Sequence, residues 1–326
     1  MTSDWRTARD TALFKLENEK NPALRAEAVD TLCDLAAEVS PDLRSEFAAA
    51  LVRLLADTQS EVRCGAVALA ALILPGAEAE ALLIRHLADR DPRMRLEATG
   101  RLADLGRPSS RGALAQMMRD DGFPVRFEAA RGMAALKHSA GLEVLIEALS
   151  DNDLRFRAVS ALAELGDKAA LPALQKLFGK WILPAFDRTQ IAAALVKLGD
   201  LSGADHLFKR ASRKWSLDRA MAIELLGEVK APGARARLEQ ILANPADHAR
   251  GAAARGLGRL GDLAALPALE AVLRESAAAD DLKLDVAEGL WLLPDGKGRA
   301  QLQGITLSTP EARAELHALL SEPTHP

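Results

Sequence analysis

The chain has 326 residues, 49 % of them apolar but only 4 % aromatic, with no Tyr, and the apolar set is mostly Ala and Leu. That composition suits close-packed helices and argues against a β-sandwich, which wants β-branched and aromatic residues. A net charge of −4 argues against a dedicated nucleic-acid binder, and two cysteines, Cys33 and Cys64, are too few for a disulfide scaffold, so a reducing compartment is expected.

The first residues, MTSDWRTARDTALFKLENEK, are charged throughout and lack the apolar core of a signal peptide. The apolar run AVALAALILP at 66–75 is too short to span a bilayer, so no membrane insertion and a cytoplasmic location are expected. Residues 4–20 read as an N-terminal helix that caps the rest of the chain.

From residue 21 to 293 the chain repeats itself. A basic residue is followed three positions later by a small apolar one, in LRAEAV, VRCGAV, MRLEAT, VRFEAA, LRFRAV, DRTQIA, DRAMAI, ARGAAA and LKLDVA. The anchors are Arg25, Arg63, Arg95, Arg126, Arg155, Arg188, Arg219, Arg250 and Lys283, spaced by 38, 32, 31, 29, 33, 31, 31 and 33 residues. A period in that range marks a stacked repeat architecture.

Each unit reads helix, turn, helix, turn. In the fifth, GLEVLIEALS places Leu142, Leu145 and Leu149 on one helical face, SDND is the turn, and LRFRAVSALAELG is the second helix, ended by Gly166. The same stop recurs at Gly106, Gly199 and Gly261. One phrase is written almost twice, LGDKAALPALQKL at 165–177 and LGDLAALPALEAVL at 260–273. Residues 294–326 hold an irregular turn, LLPDGKGRAQLQG from 292 onward, and then a last helix, STPEARAELHALL, with Ser308 and Glu311 in capping-box spacing. No Gly/Ser- or Pro-rich linker divides the array, so residues 1–326 are expected to form one domain.

The turn LGDxAALPAL and the subsequent D…VRxxAAxAL resemble HEAT-like repeats of the phycobilin-lyase type, over roughly residues 20–293. The resemblance implies an all-α fold, an α-α superhelical solenoid of about nine helix pairs with a cap at each end. It says little about function, because such repeats serve lyases, DNA glycosylases, hydroxylases and scaffolds.

Three sets of residues are candidates for recognition or structure. The nine anchors could track a phosphate backbone, but acids in the preceding turns make a structural ladder of ion pairs the stronger reading. The solvent face of the second helices, lining the concave side expected of a solenoid, carries eleven acids against Arg131, Arg157, Lys197, Arg255 and Arg259. Glu97, Glu128, Glu164, Glu224, Glu228 and Glu288 are its candidate contacts for a basic or mixed-charge partner; a merely solvated face is the alternative. The third set departs from the repeat. The turns FGKWILPAFDR (178–188) and FKRASRKWSLDR (208–219) put Lys180, Trp181, Phe186, Lys209, Arg210, Arg213, Lys214 and Trp215 on one edge. Aromatic anchors among cations suit a binding hot spot or a platform for an anionic group. Alternatively, the longer turns fold back and bury their tryptophans.

No phosphate-binding loop, dinucleotide fingerprint or His-Glu metal motif appears, and the six histidines, His86, His138, His206, His248, His317 and His325, are scattered. Cys64 follows an arginine, which could lower its pKa, though a small buried residue is the plainer reading. No cofactor, no metal and no enzymatic activity are therefore expected. The function expected is a non-catalytic scaffold or adaptor that binds a protein or extended peptide. A nucleic-acid-binding protein like the HEAT-like DNA glycosylases is the alternative. A bilin lyase or chaperone is the third.

Overall fold

The computed structural model describes residues 4–321; His325 and the other outermost residues of the chain lie outside them. Among the described residues there are nineteen α-helices, several short 3-10 turns and no strand. The first helix of each repeat is α1 (Asp4–Asn18), α3 (Ala48–Leu55), α5 (Gly76–His86), α7 (Arg111–Met117), α9 (Leu142–Ala148), α11 (Leu171–Phe178), α13 (Ser202–Ala211), α15 (Ala234–Leu242) and α17 (Leu266–Leu273). The second is α2 (Pro22–Glu38), α4 (Ser60–Ile73), α6 (Pro92–Leu105), α8 (Phe123–Ala135), α10 (Arg155–Leu165), α12 (Ala185–Lys197), α14 (Arg219–Glu228), α16 (Arg250–Leu260) and α18 (Asp280–Trp291). A last helix, α19 (Pro310–Ser321), has no partner of its own and lies against α18. Helix α1 packs on α2 as α3 packs on α4, so it is the first half of the first repeat as well as its cover.

The chain divides into two compact units, residues 1–165 and 166–326. Within each, successive second helices pack in order, the α-α stacking of a solenoid. The core of the first unit includes Leu32, Phe47, Leu69, Leu83, Met94 and Leu102. That of the second includes Leu207, Ile223, Leu226, Leu238, Leu257 and Leu290. The ladder expected in α10 is buried at Ala158, Ala161, Leu162 and Leu165, while Leu154 is half-buried.

The duplicated phrase has a local cause. Gly166 and Gly261 take left-handed φ values of 77° and 70°, which end the preceding helix where a side chain would be strained. The next residue, Asp167 or Asp262, accepts the amide of Ala169 or Ala264 at 2.9 and 3.0 Å and starts a short 3-10 turn. Ala170 and Ala265 are buried there, and a Leu-Pro pair opens the next helix. The phrase is a turn instruction: stop, cap, re-enter.

Second helices approach closely in the second unit. A Cβ added at Gly227 would lie inside contact distance of the Gly256 carbonyl on α16. At the C-terminal end, the cap of α19 is Thr309, whose hydroxyl accepts the Ala312 amide at 3.2 Å. Ser308, one residue short of that position, instead gives its amide to Asp280.

Candidate functional site

The nine anchors do one job eight times. Each arginine donates to a carbonyl at the end of the helix before it or in the turn that follows that helix: Arg25 to Leu16, Arg63 to Asp57, Arg95 to Asp89 and Arg126 to Asp120. Arg155 does so to Leu149, Arg188 to Phe178, Arg219 to Ala211 and Arg250 to Leu242. Those carbonyls lack helical partners, and a cation there also opposes the helix dipole. Several of the arginines also reach an acid of the next repeat: Arg25 to Asp57, Arg95 to Asp120 at 2.7 Å, Arg219 to Asp247 at 2.7 Å and Arg250 to Glu275 at 2.6 Å. Lys283 donates instead to the Thr306 carbonyl.

The six glutamates of the second-helix face are mostly committed to neighbours. Glu97 pairs with Arg101 at 2.7 Å, and buried Glu128 holds both Arg131 at 2.8 Å and Arg157 at 2.6 Å. Glu224 binds Arg255 at 2.6 Å and also Arg259; Glu228 binds Lys197 at 2.7 Å; Glu288 lies 3.7 Å from Arg259. Glu164 is exposed, and its carbonyl takes the Lys137 ammonium. Counting charges along the sequence finds an acid excess, and the excess remains; what pairing removes is the freedom of most of these glutamates, several of which are tied to a base of a neighbouring repeat.

The Lys-Trp edge lies in the second unit and differs in kind. Trp181 and Trp215 are 93 % and 90 % exposed, whereas Trp5 and Trp291 are buried. Ile182 and Leu217 beside them are 86 % and 88 % exposed. Phe186 is exposed, but Phe178 and Phe208 are half-buried and pack against the core. Lys180, Lys209, Arg213 and Lys214 are exposed. Arg210 is not available: it turns inward to Asp218.

Both turns are fixed at their base. In the first, Arg188 donates to the carbonyls of Phe178 at 2.8 Å, Lys180 at 2.7 Å and Trp181 at 3.4 Å. In the second, fully buried Asp218 accepts from Arg210, from Ser216 at 2.5 Å and from Thr189 of α12 at 2.5 Å. Burial alone would push this carboxyl up, but the hydrogen bonds from Arg210, Ser216 and Thr189 hold it down at about 2. The charged form therefore ties the second turn to the preceding repeat.

Sequence reasoning missed Asp218, Thr189, Ile182 and Leu217. A signal for one of them, Leu217, is present: Lys-Trp-x-Leu occurs at both 180–183 and 214–217, whereas Ile182 sits at the variable position. Nothing in a linear reading separates Asp218 from the other turn aspartates, since its role needs Thr189 from another helix.

The cysteines are not activated. Burial pushes the Cys33 thiol up to about 12 and the Cys64 thiol up to about 11. Among the described residues no group of three or more His, Cys, Asp or Glu is placed to hold a metal ion, and no helix is long and apolar enough to cross a membrane.

A family model described as HEAT repeats matches residues 113–182 and 204–291. Those two stretches are HEAT repeats. The chain is similar to phycocyanobilin lyase subunit alpha from Picosynechococcus sp., at 33 % identity over 143 residues. That alignment covers 43 % of this chain and 46 % of the relative, so under half of the relative's length is spanned. Among solved structures, the complex of CpcE and CpcF of phycocyanin lyase from Nostoc sp. is 23 % identical, covering 74 % of this chain and 94 % of that one with a TM-score of 0.45. Human deoxyhypusine hydroxylase in complex with glycerol is 19 % identical, covering 75 % and 96 %, with a TM-score of 0.31.

The lyase relative corrects one expectation. The lack of a catalytic motif led to the reading that the chain is not an enzyme, yet this HEAT-repeat chain has a lyase subunit as a relative. The physical reason is that helix-pair repeats leave no linear catalytic signature. Any reacting groups come from separate repeats and meet only in space.

Proposed function

We propose that this HEAT-repeat chain is a protein-docking subunit of an enzyme assembly of the bilin-lyase kind, with its partner seated on the Lys-Trp edge. One observation carries the reading: two tryptophans stand about nine-tenths exposed on turns whose bases are held by hydrogen bonds, from Arg188 in the first and to buried Asp218 in the second. Exposed indoles beside aliphatic side chains are costly to leave in water and are favoured at binding hot spots. Rigid turns also lose little freedom on binding. The glutamate face is the weaker candidate, because its charges are largely paired. The anchor arginines serve as the structural ladder.

The test is capture of partners from native lysate by the wild-type chain and by Trp181→Ala/Trp215→Ala. A stoichiometric protein held by wild type and lost by the folded variant supports the reading; equal capture by both removes the edge from it.

A second reading, direct handling of a bilin, is favoured by the likeness to the lyase subunit. Adding phycocyanobilin to the purified chain tests it: a saturable shift of the pigment's absorbance band supports direct binding, and an unchanged free-pigment spectrum rejects it. The nucleic-acid reading draws support from neither the paired face nor the relative. A steep salt-dependent affinity for DNA would restore it.

A further inference from the structure

The two exposed tips carry the same short pattern in equivalent turns. Lys180-Trp181-Ile182-Leu183 lies between α11 and α12, and Lys214-Trp215-Ser216-Leu217 lies between α13 and α14. Helices α12 and α14 are neighbours, and packed helices lie roughly 8–10 Å apart. We propose that this tandem pair of tips docks an acidic protein segment that presents two apolar side chains one repeat spacing apart. The proposal rests on the protein-docking reading above and gives the partner its chemistry.

Charge selects the sign. Lys176, Lys180, Lys209, Arg213 and Lys214 are exposed, and none forms an ion pair among the described residues. Elsewhere the exposed face commits its bases to acids: Arg131, Arg157, Lys197, Arg255 and Arg259 are all paired. Five unpaired cations thus stand beside the most exposed apolar side chains of the second unit, and an occupant with carboxylates would neutralise them.

Shape and side-chain type select the class. Ile182 and Leu217 are nearly as exposed as the tryptophans. A nucleobase stacks on an aromatic face and gains little from an aliphatic chain, whereas an apolar side chain of a partner gains from both. Beside Trp215 an open cleft of about 410 Å³ is lined by Arg210, Arg213, Lys214 and Ser216. It has room for a discrete side chain with a carboxylate next to it, a feature that a flat bilayer surface would not use.

Spacing makes the segment specific. A helix rises 1.5 Å per residue, so two apolar residues about seven positions apart reach tips roughly 10 Å apart. The probe is a fluorescent Glu/Ala helical peptide with two leucines at that separation, titrated with the full chain. Controls replace every Glu by Lys, or one Leu by Ala.

Saturable binding of the acidic peptide is expected. It should weaken about tenfold or more in Trp181→Ala/Trp215→Ala and in Lys180→Glu/Lys214→Glu, both with unchanged circular dichroism, and on loss of one leucine. It should also fall steeply between about 50 and about 500 mM salt. Equal, tryptophan-dependent binding of the Lys peptide overturns the acidic partner while leaving protein docking intact. Equal binding of the acidic peptide to both variants, or none by any peptide, overturns the proposal. Tryptophan-dependent binding to phosphatidylserine/phosphatidylcholine vesicles or to oligothymidylate, with no peptide bound, overturns both it and the docking reading.

Discussion

Asp218 shows how much one residue can hold. It is fully buried, accepts from three side chains on two helices and a turn, and keeps its charge against burial. Asp218→Asn leaves Arg210 without its counter-charge, and we expect a loss of about 3 kcal/mol in urea unfolding at neutral pH. The pH dependence has a definite sign. Its folded pKa, about 2, lies below the ordinary 3.8, so its contribution is present above about pH 4 and is lost as the pH falls toward 2. The stability of wild type should drop more than that of the Asn variant across that interval; parallel curves would remove Asp218 from the acid response.

At the scale of the element, small residues set how closely helices approach. Gly227→Ala drives a methyl group into the Gly256 carbonyl and must part α14 from α16, for an expected cost of about 1–3 kcal/mol. Equal stability would mean that the two helices have slack. Ala158, fully buried in α10, tests the register of a second helix: Ala158→Asp places a carboxylate in the core and should abolish cooperative unfolding of the first unit. A variant with the wild-type transition would mean that α10 presents a different face.

At the scale of the whole molecule, the question is whether the exposed tips matter to the fold. Trp181 and Trp215 project from the stack, so their joint replacement by alanine should change stability by no more than about 0.5 kcal/mol. A melting temperature lowered by several degrees would mean that the indoles pack, and the docking site would fail with them. The buried pair behaves oppositely: Trp5 stacks on Phe47 at 5.8 Å, and Trp291 lies 4.0 Å beneath Arg299. Iodide should therefore quench about half of the tryptophans readily, and those should be the ones missing from the double variant.

By itself the sequence determined the helix pairs, their number and their turns, because these are local. The basic anchor, the alanine ladder and the Gly-Asp stop recur at a fixed period, and each acts through neighbours a few residues away or one repeat on. What only the tertiary structure decided is which charges and rings remain free. The excess of acids along the second helices was legible, but which of them are tied up by Arg157, Arg255 and Arg259 depends on contacts between repeats. The two Lys-Trp turns were legible as departures from the period, yet whether a long turn folds back or stands out is set elsewhere. Arg188 and Asp218 hold the base of each turn through contacts the sequence does not show, and both indoles stand in solvent. Local pattern specifies helices; solvent exposure is a property of the packed whole.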